Sequence, residues 1–263
     1  MNILQKLTTV QQLHQSRLCV GLDTDITKIP NHLRDSDKGI LRFNLGIIEA
    51  TAHYSCAFKF NFAFYEQYGK RGLKALRKSL EAVPKGIITI ADAKRGDIGN
   101  TSTAYAKAVF EEMNFDAITV SPYMGRDSVE PFLQYEGKLV FVLALTSNPG
   151  SNDFQRLIAD GKPLYRHVVE KSMSWEAKSA LGFVVGATHP KEVGEIREYA
   201  PNNVFLIPGV GSQGGETAAT MQANGAGPAM VNVSRGIIYA STGLDYVEKA
   251  RHQAMYYQKE IGM

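Results

Sequence analysis

The chain of 263 residues has only two cysteines, Cys19 and Cys56, and each lies in an apolar stretch. Neither a disulfide framework nor a cysteine zinc cluster can be assembled from them, and both are expected to be buried packing residues. The six histidines, His14, His32, His53, His167, His189 and His252, lack His-x-His and His-Glu-x-x-His spacing. That speaks against a dedicated metal site and leaves them as surface or packing groups. No apolar run reaches the roughly 18 residues of a membrane span, and the opening MNILQKLTTVQQLHQ lacks the continuous apolar centre of a signal peptide. A cytoplasmic protein without a membrane partner is expected. Neither sign of charge dominates, since 29 Lys and Arg against 26 Asp and Glu leave +3 with the charges interspersed, so no nucleic-acid partner is expected.

What is present is a rhythm. Short apolar, β-branched runs recur eight times: LCVGLD from Leu18, CAFKFN from Cys56, GIITIAD from Gly86, DAITVSP from Asp116, LVFVLALT from Leu139, LGFVVGAT from Leu181, NVFLIPG from Asn203 and AMVNVSRG from Ala229. The segments between them, such as NTSTAYAKAVFEEMN and KPLYRHVVEKSMSWEAK, have mostly helical periodicity. This is the βαβ pattern of a parallel sheet covered on both faces. A doubly wound open sheet would share it, but eight strands favour a (β/α)8 barrel, an α/β fold of one domain over residues 1–263. The long connection from Ser147 to Gly161 contains Asp160-Gly161 between FQRLIA and KPLY, which predicts a small hairpin inserted after the fifth strand. The basic cluster Lys70, Arg71, Lys74, Arg77 and Lys78 reads as the solvated outer face of a helix.

Barrel enzymes build their sites at the C-terminal ends of the strands, so the polar residues closing each run are the candidates. The first run ends in Asp23, the second carries Lys59 and Asn61, the third ends in Asp92 and Lys94 and runs into Asp97, and the fifth ends in Ser147. An isolated buried charge is costly, and an alternating array of Asp and Lys supplies each charge with partners. Asp92 and Lys94 are two apart, so on an extended strand both point to one face. Asp97 follows Gly96: either the glycine turns it back toward Lys94 or it serves elsewhere. The plainer alternative for all four charges is a salt-bridge network tying the barrel mouth. A second group follows the seventh and eighth runs, in PGVGSQGGE (208–216) and NVSRGII (232–238). Glycines 209, 211, 214 and 215 let backbone N–H groups approach an anion, Arg235 offers a bidentate fork, and a following helix would add its positive end, so a phosphorylated substrate is expected.

The segment DAKRGDIGNTS (92–102) carries Asp-x-Lys-x-x-Asp, and with it the chain closely resembles the orotidine 5′-phosphate decarboxylase family. The resemblance runs from GLD at Gly21 through FKFN, DAKRGDIGNT, LTSNPG and PGVGSQGG to NVSRGI, and the form of the signature, VVGATHP and the long loop after the fifth strand are similar to the bacterial branch with longer chains. It implies conversion of orotidine 5′-phosphate to uridine 5′-phosphate and carbon dioxide by a homodimer without cofactor or metal. It further implies that Lys94 protonates C6, that Asp92 holds that lysine, and that Asp97 and Thr101 reach in from the partner chain. Asp23 and Lys59 would bind ribose hydroxyls and complete the charge array, Ser147 would contact the pyrimidine, and Gln213 and Arg235 the phosphate, with Pro208 on a loop that closes.

The chemistry agrees with that implication. Losing carbon dioxide leaves an in-plane carbanion, so placed charge must substitute for an electron sink. One ammonium about 4 Å from a unit negative charge, at an effective dielectric near 20, interacts by about 4 kcal/mol, roughly three decades of rate if realised only in the transition state. Three rivals stand beside this reading: a magnesium-dependent sugar-phosphate decarboxylase or epimerase of the same superfamily, a Schiff-base aldolase, and a noncatalytic nucleotide-phosphate binding barrel. Carboxylates around Lys94 would raise its pKa, the opposite of what a Schiff-base lysine needs.

Overall fold

A computed structural model describes residues 2–36, 38–188, 190–209 and 214–263, with residues 214–216 described by their backbone. Each of the eight apolar runs is a strand. They are β1 Leu18–Gly21, β2 Ala57–Asn61, β3 Ile88–Arg95, β4 Ala117–Val120 and β5 Leu139–Leu145, then β8 Ala180–Val185, β9 Val204–Pro208 and β10 Ala229–Val233. Between the two groups the expected hairpin forms from β6 Ile158–Ala159 and β7 Lys162–Pro163, antiparallel. The eight long strands close in the order β1-β10-β9-β8-β5-β4-β3-β2, and the pairs β1–β2, β2–β3, β4–β5, β5–β8 and β8–β9 are parallel. The fold is therefore the (β/α)8 barrel. Its strands are apolar and buried over most of their length, as in a sheet covered on both faces, with polar and exposed positions gathered toward the C-terminal ends of β2 and β3.

The chain comprises two compact units, one of Gln5–Ala93 with Asn232–Met263 and one of Lys94–Val231 with Met1–Leu4. In the first, the helix Gly69–Glu81 buries Gly72, Ala75, Leu76 and Ser79 at the i, i+3, i+4, i+7 spacing of one helix face, while Lys70, Arg71, Lys74, Arg77 and Lys78 face water. Phe43, Phe58 and Phe60 are fully buried, and truncating any of them to alanine would cost about 3–5 kcal/mol. Cys19 and Cys56 are buried free thiols, and burial pushes Cys56 up to about 12.

In the second unit, NTSTAYAKAVFEEMN forms the helix Gly99–Lys107 and continues as a π-helical turn, Ala108–Glu112, which simple periodicity does not signal. KPLYRHVVEKSMSWEAK is helical only over Leu164–Met173, because Lys162 and Pro163 belong to the hairpin. The connection ahead of the hairpin holds a short helix, Ser151–Phe154. The buried guanidinium of Arg197 organises the turn before β9. Its Nη1 donates to the carbonyls of Ala200 (2.9 Å) and Asn203 (2.7 Å), and its Nη2 donates to Asn224 Oδ1 (2.7 Å) and the Pro228 carbonyl (3.0 Å). The Phe205 ring lies 3.5 Å from it, and a Cβ at Gly227 would sit 2.2 Å from its Nε, which explains the glycine. Among the described residues no helix is long and apolar enough to cross a membrane.

Candidate active site

Strand register assembles the first charged cluster. Gly21 pairs with Lys59 and Lys59 with Ile90, so Asp92, two residues beyond Ile90, shares the pleat face that Lys59 uses. Lys59 Nζ donates to Asp92 Oδ2 at 2.9 Å and to Asp23 Oδ1 at 3.4 Å. Lys59 and Asp92 are buried, and Asp23 is half-buried two residues past the end of β1. Burial of the ammonium works to lower its pKa, but the two carboxylates outweigh it and hold Lys59 above the ordinary lysine value. Lys59 is thus a fixed cation at neutral pH and a poor proton donor. Beneath it the Cys19 Sγ lies 3.7 Å from Asn232 Oδ1, and burial drives that thiol far up, so it is an inert neighbour.

The loop that carries Asp23 is held by three phenols that no sequence motif singles out. Tyr65 donates to the Leu22 carbonyl (2.8 Å), Tyr239 donates to the Asp23 carbonyl (2.8 Å) and accepts from the Asp25 N–H (2.7 Å), and Tyr68 accepts from the Ile26 N–H (3.1 Å). Tyr65 is set in turn by Asn44, whose Nδ2 donates to its hydroxyl (3.0 Å) and to Ser79 Oγ (2.9 Å). Burial raises the Tyr65 pKa well above that of a free phenol, so the group stays a donor at all working pH values. At the end of β10 a Cβ on Gly21 would lie 1.9 Å from Ser234 Oγ, so the close approach of β1 to this strand end requires glycine. Arg235 is exposed and opens the single turn Arg235–Ile238, which is too short to add much of a helix dipole.

The second unit begins at Lys94, and here the extended-strand premise fails. Lys94 has φ +44°, so the alternation that would place it on the face of Asp92 breaks at Lys94 itself. Among the described residues Gln15, Asn114 and Asp160 also have positive φ, but only Lys94 does so inside a strand. Its N–H donates to Thr119 Oγ1 on β4 (3.0 Å), and its side chain is exposed. A strained backbone fixed by a neighbouring side chain is the kind of feature that collects at functional sites. Asp97 is half-buried with its carboxylate on the Ile98 N–H (2.8 Å), and Thr101 is exposed on the helix Gly99–Lys107.

Ser147 lies two residues beyond β5, past a bulge in the β5–β8 pairing between Leu143 and Leu145. Glycines crowd it: a Cβ on Gly186 would come 2.8 Å from the Ser147 N, and one on Gly209 3.4 Å from the Ser147 Cβ. The loops after β5, β8 and β9 therefore meet at this serine. The side chain of Gln155, from the connection preceding the hairpin, ties that loop down, accepting from the Thr146 N–H (2.8 Å) and donating to Thr146 Oγ1 (2.9 Å). Pro208 ends β9, half-buried, and the helix Gly214–Asn224 begins directly after residues 210–213. Gln213 lies outside the described residues.

The model of the orotidine 5′-phosphate decarboxylase / HUMPS family matches residues 16–251, a span that contains every candidate above. The chain belongs to this family. A Flavobacterium johnsoniae protein named orotidine 5′-phosphate decarboxylase is 48% identical over 264 residues, covering 96% of this chain and 97% of its own length. A Porphyromonas gingivalis protein of the same name is 49% identical, covering 94% and 92%. Among solved structures, the OMP decarboxylase of Leishmania donovani superposes with a TM-score of 0.87 at 38% identity over 99% of this chain and 98% of its own. As a member of the decarboxylase family at this similarity, the chain is an enzyme, a carboxy-lyase.

Proposed function

We propose that the chain decarboxylates orotidine 5′-phosphate to uridine 5′-phosphate and carbon dioxide in pyrimidine biosynthesis, with Lys94 as the proton donor. The observation that carries this reading is a division of labour between two lysines. Lys59 is locked as a permanent cation between Asp23 and Asp92, whereas Lys94 stands exposed where β3 leaves its extended course. In the proposed step the bond from C6 to the carboxylate carbon breaks and its electron pair stays on C6 in the ring plane. Carbon dioxide leaves, a Lys94 Nζ–H proton passes to C6, and the neutral amine regains a proton from water. Positioned cations act most strongly on charge that exists only in the transition state. No cofactor or metal is required by this scheme.

Asp23 and Lys59 bind the ribose hydroxyls in this reading, Ser147 contacts the pyrimidine, and Gln213 and Arg235 grip the phosphate beneath the loop carrying Pro208. Asp92 orients the lysines. Asp97 and Thr101 serve the site of the partner in a cytoplasmic homodimer. The dimer reading draws support from apolar surface beside them: Ile98 is 56% and Tyr123 82% exposed, and Met124 reaches toward Gly96. Surface of that kind is commonly covered by a second protein surface.

The test is the ultraviolet absorbance of orotidine 5′-phosphate mixed with purified protein, before and after exhaustive EDTA treatment. Rapid loss of the substrate spectrum in both samples is expected. Unchanged absorbance would overturn the reading, and activity that EDTA removes and magnesium restores would move the chain to the sugar-phosphate branch.

A further inference from the structure

Asp23 reaches Lys59 from a loop, not from a strand, so something must hold that loop to the tolerance a charged site needs. Four main-chain groups between Leu22 and Ile26, the carbonyls of Leu22 and Asp23 and the N–H groups of Asp25 and Ile26, are held by phenolic hydroxyls, and one phenol, Tyr239, takes two of them. It accepts from the Asp25 N–H at 2.7 Å and donates to the Asp23 carbonyl at 2.8 Å, bridging Thr24 and so fixing the main chain directly after the residue whose carboxylate meets Lys59. The ring cannot wander, because it stacks on Phe43 (centroids 6.1 Å apart, planes at 19°), and Phe43 stacks on Tyr246 (5.3 Å, 20°). Tyr239 also immediately follows the turn Arg235–Ile238, and its own N–H donates to the Arg235 carbonyl at 3.2 Å.

We infer that Tyr239 is a positioning residue that sets the Asp23 carboxylate against Lys59 and ties it to the segment carrying Arg235. It touches no reacting atom and acts through Asp23. The inference rests on the proposed decarboxylation for its activity readout. A second readout, the side-chain carboxyl 13C signal of Asp23, requires no turnover.

Tyr239→Phe keeps the stacked ring and removes only the hydroxyl. With one bridging hydroxyl lost, kcat/KM for orotidine 5′-phosphate is expected to fall by about tenfold, with only a small drop in the thermal midpoint from the two main-chain groups left without it. The Asp23 carboxyl signal is expected to shift. Asp23→Asn, and the double variant, complete a cycle: if Tyr239 acts through Asp23, the double variant is no slower than Asp23→Asn alone. Replacement of Tyr239 by 4-aminophenylalanine, which keeps a donor toward the Asp23 carbonyl, is expected to restore most of the activity and to serve if the phenylalanine variant does not fold. Fully additive losses, or an active wild type whose Tyr239→Phe variant keeps both its rate and its Asp23 signal, would overturn the inference. A wild type without turnover would instead count against the decarboxylase reading, leaving the carboxyl signal to decide the role of Tyr239.

Discussion

At the scale of single residues, the two lysines should fail in different ways. Lys94→Ala is expected to remain folded, to bind uridine 5′-phosphate within about an order of magnitude of wild type, and to lose several decades of turnover, because the interaction it removes is made only in the transition state. Near-normal turnover measured by absorbance would reject the proposed role. Lys59→Met should cost stability as well as substrate binding, since it leaves two carboxylates facing each other in a buried site, at a cost of about 3–5 kcal/mol. The pH dependence of that loss has a definite sign. A lysine held above its ordinary value of 10.5 stabilises fully below that value, and the stabilisation fades only as pH climbs through the higher folded-state pKa. Urea midpoints of wild type and Lys59→Met should therefore stay the same distance apart between about pH 7 and 9; a gap that closed over that interval would mean that Lys59 is neutral in the native state.

At the scale of elements, two glycines that look alike in the sequence should respond to alanine with opposite sign. Gly186→Ala drives a methyl to 2.8 Å from the Ser147 backbone and should cost about 1–3 kcal/mol while raising KM. Gly194→Ala, inside the helix Pro190–Tyr199 with ordinary contacts from 3.6 Å outward, should stabilise by up to about 1 kcal/mol and leave kinetics unchanged. Calorimetry and KM measured on both proteins check the pair. The same contrast explains what was legible in the sequence. All eight strands and the hairpin could be read because buried parallel strands are apolar runs and Asp-Gly suits a tight turn. The meeting of Asp23, Lys59 and Asp92 followed from strand-end position. The left-handed turn at Lys94 could not be read, because lysine carries no mark of positive φ and the Thr119 hydroxyl that fixes it lies 25 residues away in sequence. Nor could the phenols of Tyr65 and Tyr239, whose partners are main-chain atoms without side-chain identity.

At the scale of the whole molecule, the ownership of Asp97 decides whether one chain suffices. Suppose inactive Lys94→Ala and Asp97→Ala proteins are unfolded together in equal amounts and refolded. On the proposed homodimer with Asp97 reaching across, half of the dimers pair unlike chains and one site in each such dimer combines an intact Lys94 with an intact Asp97, so about one quarter of wild-type activity should return. No recovery, with wild type surviving the same treatment and both variants dimeric, would place Asp97 in its own chain. The guanidinium clasp of Arg197 has a consequence of another kind. Its acceptors are carbonyl and amide oxygens, which do not titrate, whereas Lys59 relies on carboxylates that acid neutralises. Acid therefore strands a buried cation in one compact unit and leaves the clasp in the other intact. Amide hydrogen exchange followed down the pH scale should then be uneven, with protection at Ala57–Asn61 failing before protection at Val204–Pro208, so that acid unfolding has a direction set by which of two buried cations keeps its partners.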